Sequence, residues 1–358
     1  MNQAVRRRAP AHRGQSAGTP AATVARSRNI AARPALLFPL LLGAMAFSLT
    51  LGRYPLELGQ LFQALLGQLD GEQAKLVSDL VMEIRLPRVL AAVLIGMSLA
   101  VSGAAFQSMF MNPLVSPGVL GVLSGASFGA AVGMVASGHW IVVQLCAFGF
   151  GMAAVGIALL IGRIQRQNAL ILLILGGIIS GALFNALLSV VKYVADPYDD
   201  LPAIVYWLMG SLATVDKDTV LLLAIPMVIG IGVIASLGRA LNALSMGEDE
   251  ARSLGIPVRA VRLTVILAAT LISALTVVMG GMIGWVGLVV PHIARLLVGP
   301  DNRVLIPASA MIGGIYLLLV DNVSRLAFSV EVPIGILTAL IGIPFFAWAL
   351  RNVKRGWG

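Results

Sequence analysis

Charge is scarce in this chain: Asp, Glu, Lys and Arg make up 11% of its 358 residues, against 58% apolar residues and a mean hydropathy of +0.93. That balance excludes an ordinary soluble domain and implies an integral membrane protein. The single Cys146 leaves no internal disulfide to form. Three histidines, His12, His139 and His292, stand far apart with no Cys or carboxylate at ligand spacing, so neither a metal site nor a haem ligand set is expected. The phosphate-binding pattern G-x-x-x-x-G-K-[ST] is missing, which removes that route to ATP, and G-x-S-x-G and H-E-x-x-H are missing as well. The chain should therefore be no enzyme and carry no cofactor of its own. The period-two alternation of a membrane barrel is absent too, so the spans should be helices, which satisfy their own backbone hydrogen bonds in lipid.

What is present is a series of ten apolar stretches, near 35–51, 87–109, 117–137, 140–162, 169–194, 219–237, 262–281, 284–298, 304–325 and 333–350. A hydrocarbon core about 30 Å thick takes roughly 17 to 25 residues per helical span. With both termini inside, 18 of the 25 Lys and Arg fall on the inner side, as the positive-inside rule requires. Seven remain outside, Arg53, Lys75, Arg85, Arg88, Lys192, Lys217 and Arg325. The net charge of +9 then faces anionic lipid and calls for no nucleic acid. Residues 1–56 contain no acid, a composition that resembles a transit peptide, and Ala44-Met45-Ala46 imitates a signal-peptidase site. Cleavage there would remove the span that sets the topology, so a retained, disordered basic arm over 1–34 is expected. The remaining parts are a permeation domain over 35–352 and an inner tail over 353–358.

Several spans are interrupted. Gly121, Gly125, Gly129 and Gly133 recur every four residues in the third, giving one flat face on which another helix can lie closely. The eighth is short and holds Pro291, which favours a bend. Spans two to five and seven to ten run in opposite senses, compatible with an inverted repeat. Residues 52–86 read as an outer loop, and "LPAIVYWLMGSL" within 195–218 reads as an amphipathic helix at the interface. The inner loop 238–261 reads as two short helices separated near Gly247 and stopped by Gly255 and Pro257.

Ion-coupled carriers usually hold acids near the membrane midplane, and here Asp321 is the sole acid well inside a span. Arg325 stands four residues on, where the two can form a local salt bridge. A self-contained ion-coupled carrier would need Asp321 as its coupling acid. A polytopic chain with neither an ATP site nor a clear coupling site must borrow its energy from another chain or act passively.

Five ordered blocks, "RLPRVLAAVLIGMSLAVSGAAFQSMFMNPLVSPGVLGVLSGA", "LPAIVYWLMGSL", "LNALSMGEDEARSLGI", "GWVGLVVPHIARLLVGPDNRVLIPASAMIGG" and "VEVPIGILTALIGIPFF", resemble the FecCD-type permeases of binding-protein-dependent ABC importers. The resemblance runs from about residue 36 to 352 and implies an all-α chain of ten transmembrane helices in the bacterial cytoplasmic membrane. It further implies a homodimer, two ATP-binding subunits inside carrying ATP and Mg, and a soluble periplasmic or lipid-anchored binding protein outside. The cargo it implies is an iron chelate, ferric siderophore first, haem second and cobalamin third.

Site residues follow from the same resemblance. Ser245, Met246, Gly247, Glu248, Ala251, Arg252, Leu254 and Gly255 match the helices that couple to the ATPase. Arg85, Arg88 and Arg325 match an outer rim that meets acids of the binding protein. Asn112 and Leu114, with Gln107 and Asn168, match the cytoplasmic constriction, although Asn112 also suits a helix-end cap before Pro113.

Overall fold

Every regular element among the described residues is helical, as lipid demands of a chain with no closed barrel. The structure is a computed structural model that describes residues 36–52, 54, 56–66, 72–164 and 169–353. The expected arm over 1–34, Asn168 and the tail beyond Val353 lie outside the described residues. In chain order the helices are α1 (Leu36–Thr50), α2 (Leu58–Leu66), α3 (Glu72–Asp79), α4 (Leu86–Met109), α5 (Val122–Ser137), α6 (Trp140–Gly162), α7 (Ala169–Val194) and α8 (Asp200–Leu208). They continue as α9 (Lys217–Ser236), α10 (Gly238–Leu244), α11 (Glu248–Ser253), α12 (Val258–Gly280), α13 (Val286–Val298), α14 (Asn302–Leu326) and α15 (Ile334–Val353).

Each expected stretch overlaps an apolar helix among the described residues. Six described helices are long and apolar enough to cross a membrane, and α1, α5, α13 and the apolar part of α15 are shorter. The amphipathic piece after α7 is α8, and the loop 238–261 folds as α10 and α11 with Gly247 between them at φ 126°. α13 runs through Pro291, and the third stretch divides into a 3₁₀ turn (Pro117–Leu120) and α5, joined by Gly121 at φ 82°.

One expectation needs correction. Residues 52–86 are not simply a loop, because α2 is followed by α3, which passes through a π-turn (Leu80–Arg85) directly into α4. No Gly or Pro interrupts 72–86, and Val77 and Val81, one turn apart, are both buried, so the helix propagates. The wide turn directly precedes Pro87, whose ring would meet the carbonyl four residues back in a regular α-turn.

α4 and α12 are buried nearly all round and form the centre, while α6, α7 and α9 turn large apolar side chains such as Leu175, Ile178, Leu222 and Ile225 outward. Such a face suits lipid or a partner helix. One buried apolar cluster, including Phe106, Leu241, Leu244 and Ile272, fills the end that carries α10 and α11. A second, including Leu61, Val81, Ile95 and Leu317, fills the end that carries α2 and α3. Glycine sets how closely the helices meet. The flat face of α5 lies on α6, where a Cβ at Gly129 would be 2.2 Å from the carbonyl oxygen of Cys146.

Candidate functional site

At one end of the bundle, α10 and α11 stand clear of the apolar core while anchored to it. Leu241, Leu244 and Ala251 are buried, whereas Met246 and Leu254 are 66% and 63% exposed. Gly247 and Gly255 take positive φ, the backbone sign that lets two short helices turn sharply without a Cβ clash. The Ser245 hydroxyl donates to the Leu241 carbonyl at 2.7 Å and closes the first helix. Glu248 opens the second and pairs with Arg252 at 2.5 Å and with Arg262 of α12 at 3.0 Å, which fixes the loop to the membrane helix behind it. The structure thus brings together all eight residues read as the coupling segment. Two apolar side chains and an acidic first turn, Glu248, Asp249 and Glu250, are presented outward.

The residues read as a constriction lie at the end of α4. Met111 has φ 50°, and the Asn112 side-chain oxygen accepts from the Leu114 N–H at 2.9 Å. That local bond is the turn-forming role of Asn before Pro113. Leu114 is half exposed, and Gln107 is buried one turn behind. Its amide donates to the Gly287 carbonyl and accepts from Arg295, each at 3.3 Å, so α13 is tied to the same spot. Asn168, the second expected member, is outside the described residues.

Sequence reading missed a set of polar residues beside this spot. Asn242 of α10 donates to the Asp301 carboxylate at 2.7 Å and accepts from the Asn302 N–H at 2.8 Å. The Asn302 side chain accepts from the Ser108 hydroxyl of α4 at 2.7 Å. Asp301 caps α14 through the Arg303 N–H. Hydrogen bonds from the Arg303 side chain, then from Asn242, hold its carboxyl at about 2. A group depressed in this way stabilises the fold above its ordinary value of 3.8, and that contribution is lost as the pH falls through about 2.

Arg85, Arg88 and Arg325 gather at the opposite end, but they face inward. Their exposures are 4%, 8% and 8%. Arg85 donates to the carbonyls of Leu49 and Thr50 at the end of α1 and of Tyr54 beyond it. Arg88 holds Asp321 at 2.9 Å and grips Glu331 with two bonds of 3.1 and 3.0 Å. Arg325 lies 3.2 Å from the other Asp321 oxygen and donates to Ser48 at 3.0 Å and to Asn322. Within the chain, the residues read as an outer rim form an internally paired cluster. Three guanidiniums at the edge of an apolar bundle are too costly to leave unpaired, so the chain itself supplies the acids and carbonyls. The local Asp321 to Arg325 bridge is present, and Asp321 is fully buried between two arginines.

Comparison with known proteins fits this arrangement. The model of the FecCD transport family matches residues 40–352. The molybdate import system permease protein MolB of Haemophilus influenzae is 39% identical over 329 residues, which is 90% of this chain and 97% of the relative. The vitamin B12 import system permease protein BtuC of Salmonella typhi is 40% identical over 77% of this chain and 84% of its own length. A solved inward-facing structure of a metal-chelate type ABC transporter superposes with a TM-score of 0.80 at 36% identity, covering 89% of this chain and 99% of that one.

Proposed function

The chain belongs to the FecCD transport family and is the membrane-spanning permease subunit of an ABC importer, and on that premise we propose that two copies form the path of a metal-bearing compound across the bacterial cytoplasmic membrane. The observation that carries the energy-coupling part is the anchored loop at α10 and α11, which offers Met246 and Leu254 beside an acidic turn to an ATPase subunit. In this reading the α10 and α11 end faces the cytoplasm with both termini. ATP and Mg act on the partner subunits, and closure there moves Ser245 to Gly255 and shifts the constriction at Gln107, Asn112 and Leu114, with Asn168 facing them.

Ferric siderophore, haem and cobalamin are cargoes consistent with the family, and the likeness to MolB adds molybdate. The test is a panel of all four, offered to proteoliposomes that hold this chain, its cognate ATPase subunit and its binding protein. ATP-dependent uptake of one compound is expected, with none when the ATPase subunit is omitted. Uptake by this chain alone under a proton gradient would overturn the reading in favour of a self-contained carrier.

A binding protein docks at the α2 and α3 end. The closed cluster changes how its acids would engage Arg88, since an incoming carboxylate competes with Glu331, whose side chain is one-third exposed. Glu331→Gln removes that competitor and leaves Asp321 in place. Docking measured by surface immobilisation of the binding protein is expected to tighten by about two- to fivefold, the range of an exposed ion pair. Unchanged docking would remove Arg88 from the contact.

A further inference from the structure

The coupling loop lies on α10 and α11, and the constriction lies at the end of α4. Beside the apolar packing of α10 on α4, a polar chain joins them, half-buried at Asn242 and Asp301 and buried at Asn302 and Ser108. Starting at the loop, α10 leads into α11 through Gly247, and its Asn242 uses both ends of its amide on the start of α14. The N–H of Asn302 is one of the orphan donors at the head of a helix, and Asn242 satisfies it. From Asn302, 1% exposed, the bond from Ser108 reaches α4. Ser108 follows Gln107, whose carbonyl accepts from the Asn112 N–H at 3.1 Å. Close backbone approach adds to this, since a Cβ at Gly238 would be 3.0 Å from the Arg303 Cα.

We propose that Asn242, Asp301, Asn302 and Ser108 form a clasp that transmits movement of the coupling loop to the end of α4, with Asn242 as its positioning residue. The inference rests on the proposed role of the loop and of the constriction. Asparagine suits the place because one planar group must donate to Asp301 and accept from the adjacent Asn302 N–H. Apolar contacts between α10 and the core hold the loop near the bundle, but they are non-directional and allow sliding. The hydrogen bonds fix register, and at the buried end, Asn302 and Ser108, a polar group loses more by letting go than it gains by the bond. The clasp therefore moves as one piece or breaks.

A charge swap tests it. Asn242→Asp keeps the acceptor for Asn302 but places a carboxylate against that of Asp301, which is ionised at neutral pH. Adding Asp301→Asn restores a donor and acceptor pair with the direction reversed, and Asn at 301 still caps Arg303. The full chain, with Cys146→Ala and Leu114→Cys, is reconstituted with its cognate ATPase subunit. The rate of maleimide labelling at position 114 is then compared without nucleotide and after trapping with ATP and vanadate.

In the native clasp, ATP is expected to change the labelling rate by about fivefold or more. In Asn242→Asp the response should shrink to under about twofold while the ATPase subunit stays bound and hydrolyses ATP, and the swap should recover most of it. A native-sized response in Asn242→Asp, or a swap as silent as the single variant, overturns the clasp. If Asn242→Asp fails to assemble, Ser108→Ala, which cuts the chain at its other end, is read in the same way. A silent native clasp overturns the assigned constriction and the clasp with it, which separates that failure from a failure of the clasp alone.

Discussion

Asp321→Asn is expected to be the most damaging single substitution at the α2 and α3 end, lowering stability by about 3 to 5 kcal/mol. Asp321 is wholly buried and is shared by Arg88 at 2.9 Å and Arg325 at 3.2 Å. Neutralising it leaves the buried guanidiniums of Arg88 and Arg325 with Glu331 as the remaining acid of the described cluster, and Glu331 is hydrogen-bonded to Arg88. The asparagine amide would also turn an N–H toward one arginine, where no acceptor waits. Thermal unfolding in detergent, followed by tryptophan fluorescence, should show a large fall in the midpoint and a poor yield of monodisperse protein. The control is Glu83→Gln, which breaks the exposed pair with Lys217, 45% and 55% exposed, and should cost no more than about 1 kcal/mol. Equal midpoints for the two variants would refute the view that the cluster holds this end together.

Gly96→Ala and Gly103→Ala should destabilise nearly as much, although each adds one methyl group. Both lie on one face of α4, two turns apart. A Cβ at Gly96 would stand 2.1 Å from the Gly313 carbonyl oxygen, and one at Gly103 would stand 1.9 Å from that of Gly287. The obstacle is backbone in each case, so no side chain can rotate away and the helices must separate. Overpacking costs about 1 to 3 kcal/mol where neighbours can adjust, and the upper end or more is expected here. Gly149→Ala and Gly156→Ala meet nothing within 4 Å and should be neutral or slightly stabilising, since alanine is the better helix former. Because Gly103 and Gly287 seat α13 on α4 beside Gln107, Gly103→Ala should also disturb the Gln107 to Arg295 contact. A melting midpoint for Gly103→Ala equal to that of Gly149→Ala would show that the close approach is not a constraint.

Much of this was legible in one sequence where the cause is local. The four-residue glycine repeat in α5 announced a flat face, and Gly247, Gly255 and Pro257 marked the breaks between short helices, because positive φ and a missing N–H act within one turn. Residues 52–86 were misread because a polar stretch with a buried pair, Val77 and Val81, looks like a loop until α2 and the start of α4 are packed against it. The arginines were read with one internal partner, the local Asp321 of Arg325, and their other partners within the chain were not foreseen. Arg88 meets Asp321 and Glu331 across 233 and 243 residues of chain, and nothing in their spacing says so. A weak signal did exist: Ser48 and Asn322, polar residues in apolar stretches, are the kind that a buried cluster requires.

Composition and periodicity by themselves determined that the chain lives in a membrane and where its apolar helices lie. These follow from short-range properties, hydrophobic transfer and backbone preference, which each segment carries wherever it packs. Only the tertiary structure decided which way Arg85, Arg88 and Arg325 face, which helices touch through bare backbone at Gly96 and Gly103, and that Asn242 ties α10 to α14 and onward to Ser108. Those outcomes depend on pairs 31 to 277 residues apart, brought together by packing that is directional only once the neighbouring helix is in place.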